Sequence, residues 1–155
     1  MALEIERRFL VSSELWKALV RRSEPLDQGY ISQGAEGVTV RVRRAAEQAW
    51  LTLKARTASA EVRQEFEYPI PVADAEALLA LTPRRIEKTR HHLSLSGGTW
   101  VVDEFHGANA PLVIAEVEME RAGSTLELPE WCGEEITSRG ELSNAALAEQ
   151  PWNQR

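Results

Sequence analysis

Glu4, Glu6 and Arg8 stand two residues apart, a spacing that in an extended strand throws all three side chains onto one face while Ile5 and Phe9 take the other. The arrangement returns along the chain. Arg41 and Arg43 alternate with Val40 and Val42, and Lys54 follows Leu51-Thr52-Leu53 on the parity opposite the leucines. Arg63, Glu65 and Glu67 alternate with Val62, Phe66 and Tyr68. Lys88 and Arg90 repeat the pattern, and Glu116, Glu118 and Glu120 stack against Ile114 to Met119. Asp103 shares its parity with Val101 and Phe105 and stands outside the pattern. One such strand is most simply a half-exposed sheet. Here the strands also sort by sign, acidic near both ends of the chain and basic between. Like charges two apart on a strand lie roughly 7 Å from each other and repel unless a counter-charge sits among them. Glutamates without histidine or cysteine are hard ligands suited to Mg²⁺ or Mn²⁺, which commonly share a site with substrate phosphates. Arginine and lysine pairs facing the same space would hold the remaining phosphate oxygens. The chemistry implied is that of a metal-bound polyphosphate.

The elements that must position these groups are mainly strands, expected over 2–11, 27–33, 37–45, 49–56, 61–70, 84–96, 99–106 and 111–121. Ser13 opens a stretch whose Leu15, Trp16 and Leu19 predict a helix ended by Pro25, and Asp74 and Pro83 bracket a second helix over 73–81. Ser143 caps a short third one. Turns at Gly34–Gly37, Ala45–Gln48, Thr57–Ala60 and Ser96-Gly97-Gly98 join the strands into consecutive hairpins. Eight strands suffice to close a barrel, which also hides their edges. The fold class is α+β, mainly β: a closed ring with the ionic parity inward makes a polar tunnel with the apolar parity packed outward under flanking helices, while an open sheet covered by helices and an apolar-ligand barrel with the ions outside are the other arrangements.

The whole of 1–155 reads as one domain. Its 43% apolar and 27% charged residues exclude a disordered chain. A net charge of −6 disfavours nucleic acid and acidic membranes as partners. Of 18 basic residues only Lys17, Lys54 and Lys88 are lysine. The single cysteine, Cys132, forms no internal bridge, and no signal peptide or spanning apolar run stands out, so a cytoplasmic location is expected. His91, His92 and His106 lack metal-ligand spacing, and Ser96-Gly97-Gly98 precedes no phosphate-binding helix.

The opening Glu4-Ile5-Glu6-Arg7-Arg8-Phe9-Leu10-Val11 resembles the ExExK signature of the CYTH superfamily, the triphosphate tunnel metalloenzymes. The resemblance continues in order through Gln28-Gly29-Tyr30-Ile31, Arg41-Val42-Arg43, Leu51-Thr52-Leu53-Lys54, Arg63-Gln64-Glu65-Phe66-Glu67, Glu87-Lys88-Thr89-Arg90, Val102-Asp103-Glu104-Phe105, Glu116-Val117-Glu118 and Gly133-Glu134-Glu135-Ile136-Thr137. It implies an eight-stranded antiparallel tunnel that hydrolyses or rearranges triphosphates with a divalent metal. Glu4, Glu6, Glu116 and Glu118 are then the implied metal ligands, with Glu65 and Glu67 in support. Arg41, Arg43, Lys54, Lys88 and Arg90 are the implied phosphate contacts. Arg8 and Arg63 join the charged set, and Tyr30 is either a substrate contact at the tunnel mouth or a packed aromatic. Two departures stand out: Arg8 occupies the place of the family's lysine, and Leu142 precedes Ser143-Asn144 where close relatives carry tyrosine. The expected activity is Mg²⁺- or Mn²⁺-dependent hydrolysis of a small triphosphate, inorganic triphosphate first. Thiamine triphosphatase, class IV adenylyl cyclase and a non-catalytic polyphosphate-binding module are the alternatives, and a homodimer is the assembly to test.

Overall fold

A computed structural model describes residues 2–155. Eight strands close a ring in the order β1 (Leu3–Val11), β5 (Val62–Ile70), β4 (Gln48–Arg56), β3 (Val38–Ala45), β2 (Val20–Gln33), β6 (Arg85–Leu93), β7 (Thr99–Phe105) and β8 (Val113–Glu118), which returns to β1. Every pairing is antiparallel. Closure depends on how β1 divides one edge: Leu3–Ile5 pairs with β5, and the stretch from Phe9 to Val11 pairs with a ninth strand, β9 (Cys132–Glu135). The period-two pattern did not predict β9, a four-residue strand with no apolar alternation.

The helix expected after Ser13 is replaced by a single 3-10 turn, Leu15–Leu19, and a strand that runs from Val20 straight through Pro25. Trp16 is buried in the outer apolar cluster, so its burial needs no longer helix. Pro25 is tolerated because β2 is paired only with β6 there; its pairing with β3 begins at Asp27. The other two helices appear as α1 (Val72–Leu79) and α2 (Asn144–Glu149). Ser143 caps α2 by accepting a hydrogen bond from the Ala146 amide at 3.1 Å. Strand β8 stops at Glu118, leaving Glu120 exposed beyond the stack in which it was expected.

The apolar parity does pack outward. Phe9, Trp100, Val102, Ala115 and Val117 form a cluster roofed by Trp16 and Trp131. On the far side α1 buries Ala75 and Leu79 against Val42 and Ala49. It sits so close to β2 that a Cβ at Gly29 would meet Leu79 at 2.8 Å. The lumen is less uniform than the alternation predicts. Ile86 and Ile114 share the parity of Lys88 and Glu116, and with Phe105, Tyr30, Ile136, Leu142 and Leu147 they make an apolar plug. That plug supports the C-terminal segment and leaves the rest of the interior to charge.

Candidate active site

The charged parity encloses a cavity of about 610 Å³ whose walls are drawn from seven of the eight ring strands and from α2. Every candidate catalytic, phosphate-binding and metal-binding residue read from the sequence lines it: Glu4, Glu6 and Arg8 on β1, Tyr30 on β2, Arg41 and Arg43 on β3, and Lys54 on β4. Arg63, Glu65 and Glu67 come from β5, Lys88 and Arg90 from β6, and Glu116 and Glu118 from β8. Register explains the convergence, since Lys54 faces Glu65 across β4–β5, Arg41 faces Thr52 across β3–β4, and Glu6 faces Glu118 across β1–β8. A one-residue slip in any pair would turn those ions outward.

On one side the charges are closely matched. The Arg90 guanidinium donates to both oxygens of Asp103, at 2.9 Å each, and to Glu116 at 3.2 Å. The Lys88 ammonium reaches the other side of Asp103 at 2.7 Å and lies 5.4 Å from the Phe105 ring. Asp103 is wholly buried. Burial alone would raise its pKa, but Arg90 and Lys88 hold the carboxyl well below the usual carboxylate range. Burial also opposes the Glu116 charge, and with Asp103 nearby it is Arg90 and Arg8 that bring Glu116 down to about 2. For Lys88, burial prevails over Asp103 and pushes the ammonium down to about 7. Asp103 already shares its charge with Arg90 and so offsets little of that burial. Arg43 is pushed down by burial and by Arg41 and Arg90, while its Nε donates to Gln28 Oε1 at 2.8 Å. Gln28 in turn donates to the Tyr30 hydroxyl at 3.1 Å, which sets that phenol within the buried plug rather than at an open mouth.

The opposite side is acidic and less compensated. Lys54 bridges Glu4 at 2.9 Å and Glu65 at 3.4 Å. Burial opposes ionisation of Glu4, yet Lys54 keeps it below its ordinary value. Glu6 has no such partner. Burial, followed by repulsion from Glu116 and Glu4, drives its carboxyl up to about 8. Glu65 and Glu118 are raised as well, by burial and then by Glu4. Glu67 is occupied by Thr52 at 2.8 Å and Arg41 at 3.3 Å, and Arg63 turns its guanidinium back to the Ala60 carbonyl.

The donors fit the two groups that the charge pattern calls for. Among the described residues no three carboxylates are already closed on one point, as expected for like charges with nothing between them. Glu6 and Glu118, cross-strand neighbours without a cation, offer oxygens of the hard type to a divalent ion, with Glu4 and Glu116 beside them. For phosphate, the lumen presents buried N–H groups that have no acceptor, Arg8 Nη2 and Arg41 Nε. Arg8, ion-paired to Glu116 at 3.2 Å, also donates from Nη1 to the Leu142 carbonyl. The two departures noted in the sequence therefore touch each other.

A CYTH domain model matches residues 2–147. The chain belongs to the CYTH domain family. This CYTH domain is 37% identical over 154 residues to an inorganic triphosphatase of Acetivibrio thermocellus, covering 98% of this chain and 97% of that protein. It is 37% identical over 149 residues to an inorganic triphosphatase of Nitrosomonas europaea, covering 94% and 96%. A solved structure of the inorganic triphosphatase NE1496 superposes with a TM-score of 0.68 at 35% identity, covering 96% of this chain and 95% of that one. The closed antiparallel barrel of this CYTH domain is thus the architecture expected from the ordered motifs.

Sequence reasoning missed Asp103, Gln28 and Thr52. Asp103 was obscured by its apolar neighbours on the same parity, although it is the only acid on that parity of β7 and lies across from Arg90. Gln28 and Thr52 carry no charge and hold other residues in place, so alternation could not mark them. The histidines stay outside the cavity: His91 contacts Glu104 and His92 contacts Glu24. Cys132 is pushed up to about 11 by burial, consistent with packing rather than nucleophilic use.

Proposed function

We propose that the protein is a divalent-metal-dependent triphosphatase acting on inorganic triphosphate. One observation carries the reading: a cavity in which Arg8, Arg41, Arg43, Lys54, Lys88 and Arg90 meet a set of glutamates, two of which, Glu6 and Glu118, have no cation of their own. The charge on both sides suits a linear anion held by a metal at one end. The names of the two curated relatives support the same substrate.

Glu6 and Glu118, aided by Glu4 and Glu116, would hold Mg²⁺ or Mn²⁺, which supplies charge neutralisation at the phosphoryl oxygens and a more acidic water. Arg41 and Arg43 on β3 and Lys88 and Arg90 on β6 grip the chain from the opposite wall and fix the phosphorus under attack. The cavity wall limits bulk water around the reacting phosphoryl group. Water adds to a terminal phosphorus as the bridging P–O bond breaks, giving phosphate and pyrophosphate. Glu65, raised above its ordinary value by burial and Glu4 and outside the proposed ligand set, accepts the proton better than Glu116, whose value of about 2 makes it a weak base.

Phosphate release from inorganic triphosphate, ATP and thiamine triphosphate, with and without Mg²⁺ or Mn²⁺ and beside a cyclic AMP assay, tests the assignment. Inorganic triphosphate should be turned over fastest and only with metal. Faster turnover of another member of the panel, cyclic AMP formation, or calorimetric binding without phosphate release would replace it. Glu118→Gln should stay folded and lose about a hundredfold or more in kcat/KM, and full metal-dependent turnover in that variant would remove Glu118 from the ligand set.

A further inference from the structure

Lys88 is held from two directions, and only one of them is a charge. Its side chain is 1% exposed, with Nζ 2.7 Å from Asp103 Oδ2 on β7 and 2.9 Å from the amide oxygen of Asn144 at the start of α2. An ammonium has three donors. Two are taken by these oxygens, the Phe105 ring lies to one side, and the third remains for the cavity that both Lys88 and Asn144 line. Asp103 is shared with Arg90, so a second carboxylate in place of Asn144 would cancel the positive charge facing a phosphate, whereas a neutral amide directs the ammonium without neutralising it. The sequence marks residue 144 as the start of a helix and as part of the Ser143-Asn144 pair, with no role for its side chain.

We propose that Asn144 is a positioning residue that aims the Lys88 ammonium at the bound phosphate chain. This role rests on the triphosphatase reading for its ligand, but the aim itself is a property of the free protein. Removing the amide lets Nζ collapse onto Asp103 and Arg90's shared carboxylate and weakens its reach into the cavity.

The chain's three lysines, Lys17, Lys54 and Lys88, make the test direct, since ¹⁵Nζ-lysine labelling gives one resolvable signal for each. Asn144→Ala is compared with Asn109→Ala, which loosens the same C-terminal segment through the Leu147 carbonyl and the Trp152 amide without touching Lys88. The expected result is a moved Lys88 signal and a KM for inorganic triphosphate raised about tenfold in Asn144→Ala. Asn109→Ala should lower the melting temperature with an unmoved Lys88 signal and an unchanged KM. If Asn144→Ala does not fold, Asn144→Gln keeps the amide while displacing its oxygen and should show the same moved signal and raised KM. An unmoved Lys88 signal, or equal KM changes in the Asn144 and Asn109 variants, overturns the proposal. A wild-type protein that releases no phosphate breaks the triphosphatase reading instead, and the nitrogen signal still decides the role of Asn144.

Discussion

The two walls of the lumen solve the problem of burying charge in opposite ways. Around β6 and β7 the cations Lys88 and Arg90 enclose Asp103, and each charge has a partner at hydrogen-bond distance. Around β1 and β8 the carboxylates Glu6 and Glu118 face each other with no cation between them. A matched cluster is rigid and ready before a ligand arrives. An unmatched one keeps a repulsion that a divalent ion would relieve. The proposed function accordingly uses the first wall for phosphate and the second for metal.

The sharpest way to break the contrast is to unbalance the matched wall. Asp103→Ala leaves the buried Lys88 without an anionic partner and Arg90 with Glu116 alone, and should cost about 3–5 kcal/mol in denaturant unfolding, with or without metal; a loss below about 1 kcal/mol would show that solvent reaches this wall. Relieving the unmatched wall should do the reverse. Glu6 titrates at about 8 in the native state against an ordinary 4.5, so between those values the native state binds more protons than the unfolded chain. The metal-free protein should therefore lose stability as pH rises from about 5 to about 7. Above pH 7 the depressed Lys88 contributes with the opposite sign, because the unfolded chain then holds the extra proton. Mg²⁺ should flatten the decline and Glu6→Gln should remove most of it; thermal melts at pH 5, 6 and 7 read both, and a slope unaltered in the variant would rule out Glu6 as its source.

A smaller effect sharpens the substrate side. Arg41→Ala removes a guanidinium whose Nε has no protein acceptor, and should raise KM or lower kcat about tenfold. Unchanged steady-state kinetics would place it outside the phosphate contacts. Smallest of all is Arg139, exposed and paired with Glu134 and Glu141 at the surface. Its replacement by alanine should leave the unfolding midpoint of the same denaturant assay unmoved, and a clear shift would show that this surface pair matters to the fold.

How far the site could be read in advance differs between the walls. Glu4, Glu6, Glu116 and Glu118 are conspicuous because each alternates with apolar neighbours, and alternation is a local property of an extended chain. Asp103 is not, since Val101 and Phe105 share its face and the lumen turns apolar beside it. Asn144 looked like nothing more than a helix start until α2 folded back onto β6. Similarly, Leu15 to Leu19 has helical spacing, but pairing of the next residues with β6 limits it to one turn.

By itself the sequence determined which side chains share a face of each strand, because side-chain direction alternates with every residue whatever the strand pairs with. The ionic and apolar sets were thereby separated before any contact was made. Which face became the inside, where β1 hands its edge from β5 to β9, and which opposite charges meet were settled by the folded ring. Those outcomes depend on closure of the ring and on pairing between residues far apart in the chain, and no local pattern encodes the distance between Lys88 and Asn144.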